Sequence, residues 1–110
     1  MINQVISVVI PSFNEADTIL FTLDRVINYF KKRNYKFEIG VVDDGSDDGM
    51  AEIVKKANLE NVRIVRHEIN LGKGAAVRTG MINAYGYLKM FLDADYQISI
   101  YNLDNFFPFF

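Results

Sequence analysis

Two aspartates one residue apart, Asp93 and Asp95, follow an apolar segment that ends at Leu92. Carboxylate oxygens are hard ligands that suit Mg²⁺ or Mn²⁺, and such ions often share a substrate diphosphate with the protein. Gln97 offers a neutral oxygen two residues further on. The spacing therefore predicts a divalent-metal site at Asp93, Asp95 and Gln97, and the alternative is a solvated loop that caps a helix.

A second acidic pair, Asp43 and Asp44, follows the apolar segment that ends at Val42. A carboxylate at such a position can accept hydrogen bonds from a nucleobase N–H group or from ribose hydroxyls. Two adjacent like charges in one site cost free energy unless the site uses them. The alternative is turn chemistry, because the Asp-Gly and Ser-Asp-Asp-Gly sequences found here can turn the chain and cap the next helix. The residues alone leave both interpretations open.

A glycine-bearing loop, Gly72-Lys73-Gly74, precedes a segment of small residues that is predicted to be helical. Free backbone N–H groups at a helix start, together with Lys73 and Arg78, could neutralise a diphosphate; these two residues could equally be ordinary surface cations. The loop is not a P-loop, since no GKS or GKT occurs, and Val77 stands where the dinucleotide motif has its third glycine. His67 is the only histidine, has no obvious partner, and is expected to have a surface or structural role.

The elements that must position these residues alternate along the chain. Apolar runs predict strands over residues 5–10, 37–42, 62–65 and 87–92, and we expect Pro11 to end the first strand. Helical periodicity predicts helices over residues 16–32, about 50–57 and about 75–85. Such alternation implies parallel pairing through right-handed crossovers, and hence a three-layer α/β domain with a mostly parallel sheet. Ligands of these sheets bind beyond the carboxyl ends of the strands, where the acidic clusters lie.

Composition excludes several classes of protein. The 110 residues are enough for one domain, and an apolar fraction of 50% with 24% charged residues is typical of a globular protein. A net charge of -2 argues against a dedicated nucleic-acid binder, so we expect no nucleic-acid partner. The chain has no cysteine, which excludes disulfides and thiolate metal sites and fits a reducing compartment.

The two ends of the chain carry separate expectations. The first residues lack a basic region followed by a long apolar stretch, so we expect no signal peptide. The apolar runs are far shorter than the roughly 20 residues of a membrane-spanning helix. We therefore expect a location in the cytoplasm or at the cytoplasmic face of a membrane. The last residues form an apolar, mostly aromatic tail: Ile100, Leu103, Phe106, Phe107, Phe109 and Phe110. We expect this aromatic tail to be covered by another surface, either through self-association or because the chain is truncated.

Four segments in this order resemble the family 2 glycosyltransferases of the GT-A fold: VVIPSFNE at 8–15, VVDDGSDDG at 41–49, NLGKGAAVRTG at 70–80 and FLDAD at 91–95. The resemblance is to the dolichyl- and polyprenyl-phosphate sugar transferases in particular. The third segment is similar to dolichyl-phosphate glucosyltransferases, whose usual donor is UDP-glucose. Tyr96-Gln97 stands where that subgroup has glycine and small residues, which leaves the sugar open.

The resemblance implies that the chain is the Rossmann-like, nucleotide-binding half of a GT-A domain. It implies that nine residues bind the nucleotide sugar: Pro11, Phe13, Asn14, Glu15, Asp43, Asp44, Lys73, Arg78 and Asp93. Asp43 would hydrogen-bond the base, while Lys73 and Arg78 would support the donor phosphates. Asp95 would be the main protein ligand of a divalent ion, and Asp93 would approach the ribose or that ion.

The implied reaction is transfer of a sugar, with inversion, from a nucleoside diphosphate sugar to an acceptor such as polyprenyl or dolichyl phosphate. Residues on the acceptor side are expected beyond position 110, so we assign no catalytic base and expect the isolated chain to be poorly active. One alternative is a truncated nucleotide-sugar-binding module without turnover. Another is a phosphoacceptor receiver domain, which is disfavoured because the Asp43-Asp44 pair follows the second strand and residues 11–15 have no place in it.

Overall fold

The computed structural model describes residues 4–93. The elements in chain order are β1 (Ile6–Ser12), α1 (Ile19–Lys32), β2 (Phe37–Asp44), α2 (Met50–Ala57), β3 (Val62–His67), α3 (Lys73–Asn83) and β4 (Leu88–Phe91). The strands form one parallel sheet in the order β3-β2-β1-β4. The predicted α/β class with a parallel sheet is confirmed. Asp95, Gln97 and the aromatic tail lie outside the described residues.

The three layers follow from the alternation of side chains along the strands. Ile6, Val8 and Ile10 of β1 are fully buried and belong to the larger apolar core, which packs against α1 and α2. Val9, between them, faces the opposite side and packs with Val42 and the helix α3. Successive strand residues point to opposite faces, so a strand covered on both sides must be apolar at nearly every position.

Helix α1 covers the sheet with one amphipathic face. Its buried residues are Ile19, Leu23, Val26, Tyr29 and Phe30. The ring of Phe30 stacks on that of Phe37 at the start of β2, with centroids 5.5 Å apart and an interplanar angle of 27°. This contact anchors the carboxyl end of α1 to the amino end of the sheet, since aromatic rings of this size dominate core packing. Within residues 4–93, no helix has both the length and the apolar character that a membrane crossing requires.

Helix α3 packs closely against the sheet through small residues. Ala76 and Gly80 are its two buried residues, and a Cβ atom added to Gly80 would overlap the side chain of Val9 and crowd that of Val42. Small residues on this face let the helix axis approach the strands. The approach brings the amino end of α3, which begins at Lys73 rather than near residue 75 as predicted, to the carboxyl edge of the sheet.

The expectation that Pro11 ends the first strand is wrong, because β1 continues through Pro11 to Ser12. The carbonyl groups of Val5 and Val9 accept hydrogen bonds from the β4 side, from Tyr87 and Leu92 respectively. The backbone N–H and C=O groups of every second strand residue point to the same neighbouring strand. The nitrogen of Pro11, which carries no hydrogen, therefore faces the β4 side, as Val5 and Val9 do. Pairing with β4 stops at Val9, so the missing donor breaks no ladder bond.

Two other strands are longer than their apolar runs. β2 continues through Asp43 and Asp44, and β3 continues through Arg66 and His67. The register pairs Asp43 with Arg66 and Asp44 with His67. Asp43 and Asp44 therefore lie inside the sheet, and each has a basic residue beside it on the neighbouring strand.

A buried carboxylate organises the opposite, amino-terminal edge of the sheet. Glu38 is only 2% exposed and accepts hydrogen bonds from the Ser7 hydroxyl at 2.5 Å and from Arg63 at 2.9 Å. Ser7 in turn accepts from the backbone N–H of Gly86 at 2.7 Å. Arg63 also donates to the carbonyl of Asn83, the last residue of α3. These bonds fix the end of α3 and the turn that leads into β4.

Candidate functional site

A cavity of about 130 Å³ opens at the carboxyl edge of the sheet. It lies between the loop after β1, the end of β2, the start of α3 and the end of β4. Its lining residues are Pro11, Ser12, Phe13, Asp44, Asn70, Gly72, Lys73, Ala76 and Asp93. Segments far apart in the sequence meet there because the carboxyl ends of parallel strands share one edge.

Asp43 and Asp44 lie on opposite faces of the sheet. Both are buried, at 1% and 4% exposure, and they are consecutive residues of β2. Because strand side chains alternate, Asp44 points to the α3 side and lines the cavity, whereas Asp43 points to the α2 side. The two carboxylates therefore do not share one site.

The Asp44 carboxylate joins three backbone segments at the cavity wall. Oδ1 accepts hydrogen bonds from His67 Nδ1 at 2.8 Å and from the N–H of Leu71 at 2.9 Å, and Oδ2 accepts from the N–H of Gly72 at 2.9 Å. Burial by itself would raise the pKa of the Asp44 carboxyl, but the bonds from His67, Leu71 and Gly72 and the charge interaction with His67 outweigh it and lower the pKa. The carboxylate is therefore ionised and shapes the loop that precedes α3.

His67 has partners that the sequence did not reveal. Its Nδ1 faces Asp44, and its Nε2 lies 2.8 Å from the hydroxyl of Thr79 on α3. The imidazole side chain is 11% exposed. The expectation of a structural role fits this position, and the bond to Asp44 places the ring directly behind the cavity wall.

Asp43 lies in a different environment. It accepts a hydrogen bond from the backbone N–H of Ser46 at 2.9 Å, and its Oδ2 is 3.4 Å from Nε of Arg66. It lines a second cavity of about 430 Å³ beside the start of α2. The bond to the N–H three residues on holds the chain in a turn after β2, which agrees with the turn interpretation left open from the sequence.

Lys73 and Asp93 form an ion pair at the mouth of the first cavity. The carboxylate of Asp93 is 13% exposed and the Lys73 side chain is 53% exposed. The Lys73 ammonium group also lies 5.9 Å from the centre of the Phe91 ring. The site thus presents one anionic oxygen ligand and one cation side by side.

The described residues supply only part of a site for a divalent metal. Asp93 supplies hard carboxylate oxygens at the cavity, as Mg²⁺ or Mn²⁺ would require. Among residues 4–93, no three metal-ligating side chains come together. Asp95 and Gln97, the other predicted ligands, lie outside that range, so Asp93 is the one predicted metal ligand whose position is described.

The loop after β1 is tied to the loop after β2. Asn14 accepts a hydrogen bond from the N–H of Asp47 at 3.0 Å, and its own N–H donates to the Ser46 hydroxyl at 2.8 Å. The N–H of Ala16 donates to Asp48 at 2.9 Å. These bonds position Phe13, which is 42% exposed, on the cavity wall.

Besides Asp43, three more predicted binding residues stand apart from the cavity lining. Asn14 faces the β2–α2 loop. Glu15 lies before α1, where its carboxylate accepts from the Thr18 hydroxyl at 3.0 Å and its carbonyl accepts from the N–H of Ile19 at 2.8 Å. Arg78 lies on the exposed side of α3. The structure brings together Pro11, Phe13, Asp44, Lys73 and Asp93.

The sequence profile of Glycosyl transferase family 2 matches residues 7–110. The chain belongs to glycosyl transferase family 2. Among curated relatives, the dolichyl-phosphate beta-glucosyltransferase of Saccharomyces cerevisiae is 42% identical over 98 residues, which are 82% of this chain and 29% of that protein. The chain thus spans less than a third of the length of the relatives it matches first.

Solved structures of other glycosyltransferases share the fold of this family 2 chain. A mannosyltransferase from Pyrobaculum calidifontis, in complex with GDP-Man and Mn²⁺, superposes with a TM-score of 0.76 at 29% identity over 86% of this chain and 28% of that one. S. aureus TarS in complex with UDP-GlcNAc gives a TM-score of 0.66 at 30% identity over 82% and 26% of the two chains. The expected family and GT-A fold are confirmed.

Proposed function

We propose that this family 2 chain forms the donor-binding half of a transferase that takes a sugar from a nucleoside diphosphate sugar. The proposed donor is a UDP-sugar such as UDP-glucose, and the proposed acceptor is dolichyl or another polyprenyl phosphate, with inversion at the anomeric carbon. One observation supports the proposed donor site. The same cavity is lined by an aromatic ring, an ionised carboxylate, a cation and a second carboxylate, which belong to Phe13, Asp44, Lys73 and Asp93. The relatives named as dolichyl-phosphate glucosyltransferases support the acceptor.

Asp44, rather than Asp43, is the proposed contact for the nucleobase. Oδ1 of Asp44 already accepts two hydrogen bonds, but Oδ2 accepts one from within residues 4–93, that of Gly72. A carboxylate oxygen can accept a second bond, and an imide N–H of uracil is a suitable donor. Phe13 and Pro11 would then contact the base through their apolar surfaces. Asn14 and Glu15 would act by shaping their loop.

Lys73 is the proposed phosphate contact, with Arg78 as an outer cation. Lys73 lies at the first turn of α3, where the helix dipole also favours an anion. Because Lys73 pairs with Asp93, the site offers a positive and a negative charge side by side. That arrangement matches a diphosphate bound together with a divalent cation.

Asp93, Asp95 and Gln97 are the proposed ligands of Mg²⁺ or Mn²⁺. When bound, such an ion would neutralise the charge that develops on the leaving diphosphate. The mannosyltransferase neighbour that holds GDP-Man and Mn²⁺ supports this proposal. A phosphate acceptor is already ionised, so it has less need of a general base, and we assign none. The proposed location is the cytoplasm or the cytoplasmic face of a membrane, which the absence of cysteine suits.

Calorimetric titration tests the donor site. The chain is titrated with UDP, UDP-glucose and GDP-mannose, with and without Mn²⁺, as wild type and as Asp93→Asn and Asp95→Ala. Asp17→Asn is the matched control, because Asp17 is exposed and lies outside the cavity lining. We expect Mn²⁺-dependent UDP binding that weakens at least about tenfold in Asp93→Asn and in Asp95→Ala and stays unchanged in the control. Absence of nucleotide binding under every condition would refute the proposal.

A further inference from the structure

We propose that His67 is a positioning residue of the nucleotide site: it holds the Asp44 carboxylate and the amino end of α3 in the arrangement that forms the cavity wall. This inference rests on the proposed function and adds to it a residue that does not itself line the cavity. His67 would act through Asp44, Leu71 and Gly72 rather than by touching the donor.

The imidazole of His67 lies where three elements meet. His67 is the last residue of β3 and lies beside Asp44, the last residue of β2, in the sheet register. From there Nδ1 reaches Asp44, and Nε2 reaches Thr79 on α3. One side chain therefore connects three elements, β2, β3 and α3, immediately behind the cavity.

Asp44 connects His67 to the loop before α3. The same oxygen that accepts from His67 also accepts from the N–H of Leu71, and its neighbour accepts from the N–H of Gly72. Gly72 and the next residue, Lys73, line the cavity. Loss of the His67 donor would leave this buried carboxylate with the two loop bonds alone, which would weaken its hold on the loop that presents Lys73.

The two bonds of His67 select one tautomer of its neutral imidazole. An ionised carboxylate is only an acceptor, so the bond to Asp44 requires a proton on Nδ1 of His67. In the neutral ring, Nε2 is then an acceptor and receives the Thr79 hydroxyl proton. Free imidazole side chains favour the opposite tautomer, so this arrangement has a distinct spectroscopic signature. His67 is the only histidine in the chain, which makes the assignment of that signature unambiguous.

Two pairs of variants separate positioning from packing. His67→Leu removes both bonds, whereas His67→Asn retains a donor at the place of Nδ1. Thr79→Val removes the hydroxyl but keeps the shape, whereas Thr79→Ser keeps the hydroxyl. The Thr79 pair leaves His67 and Asp44 untouched, so it tests the same link even if His67→Leu fails to fold. Thr22→Val on α1, on the opposite side of the sheet, is the control.

The measurements are UDP affinity in the presence of Mn²⁺ and long-range ¹H–¹⁵N spectra of a chain without a polyhistidine tag. We expect UDP binding to weaken about tenfold in His67→Leu and less in Thr79→Val, to be near the Thr79→Val value in His67→Asn, which also lacks the Thr79 bond, and to be restored in Thr79→Ser. At a pH at which the spectrum shows a neutral ring, the wild type should have the Nδ1–H tautomer. Wild-type UDP affinity in both His67→Leu and Thr79→Val, or an Nε2–H tautomer in the wild type, would overturn this inference alone. A wild type that binds no nucleotide would overturn the proposed function and this inference with it.

Discussion

The carboxylate of Asp44 accepts a hydrogen bond from the backbone N–H of Gly72 at 2.9 Å, although 28 residues separate the two positions. The neighbouring N–H of Leu71 donates to the same carboxylate. A buried charge therefore holds the loop between β3 and α3, where no strand pairing is available to do so. The charge state of one residue of β2 thus affects the shape of a cavity wall built by α3.

We expect Asp44→Asn to lower the free energy of unfolding at pH 7 by about 1–3 kcal/mol, because the amide has one acceptor oxygen for three donors. The pKa of Asp44 is lowered below its ordinary value of 3.8 by bonds that outweigh burial. A lowered pKa in the folded state stabilises the fold above the unfolded pKa, and this contribution is lost as pH falls through the folded pKa. Urea unfolding of both proteins between pH 7 and 3 should show their difference shrink below about pH 4. A difference that stays constant into acid would contradict this.

Gly80→Ala should destabilise the chain by about 1–3 kcal/mol, because the new methyl group would overlap Val9 and force α3 away from the sheet. Gly74→Ala is the matched control on the same helix, since nothing lies within 4 Å of a Cβ added there. Alanine favours helices over glycine, so Gly74→Ala should stabilise by up to about 1 kcal/mol. Thermal unfolding measures both. Equal effects of the two substitutions would mean that α3 does not depend on close contact with β1.

The existence and order of the helices and strands could be predicted because buried positions are occupied by apolar residues at a spacing typical of each element. β2 is an example: residues 37–42 are nearly all apolar, since both faces of the strand are covered. Its true end could not be predicted in the same way. Asp43 and Asp44 remain in the strand because β3 pairs with them, and that pairing joins residues more than twenty positions apart.

The same reasoning explains which site residues were predictable. Phe13, Lys73 and Asp93 stand just after a strand or at the start of a helix, and the topology alone brings such boundaries to one edge. Which of Asp43 and Asp44 lines the cavity could not be predicted, because it depends on β2 continuing past its apolar residues with alternating side chains. The partners of His67 come from β2 and α3, so local sequence carried no signal for them; extending β3 by two residues would have placed it beside Asp44.

Glu38→Gln should destabilise the chain by about 1–3 kcal/mol, because it removes the charge that Ser7 and Arg63 pair with in a buried setting. Glu52→Gln is the control, since the exposed Glu52 is 3.9 Å from an exposed Lys55 and such pairs contribute little. Urea unfolding at pH 7 gives both values. A Glu38→Gln protein as stable as the control would show that the amino edge is held by packing instead.

Asn14 combines a backbone conformation and a side-chain bond, and two substitutions can separate them. Its φ of 54° favours glycine or asparagine, while its side chain accepts from Asp47. Asn14→Gly should lose only the bond, whereas Asn14→Ala should lose the bond and add backbone strain of about 1 kcal/mol. Asn34→Gly is the control, because Asn34 has a similar φ of 57° in an exposed turn after α1.

Both substitutions at Asn14 should also weaken UDP binding, since the loop they loosen carries Phe13. We expect Asn34→Gly to leave both stability and affinity near the wild-type values, because the turn it occupies lies at the other edge of the sheet, before β2. Unfolding curves and UDP titrations of the three variants provide the comparison. If Asn14→Gly matched the wild type in both measurements, the bonds between the loops after β1 and β2 would have no part in forming the cavity.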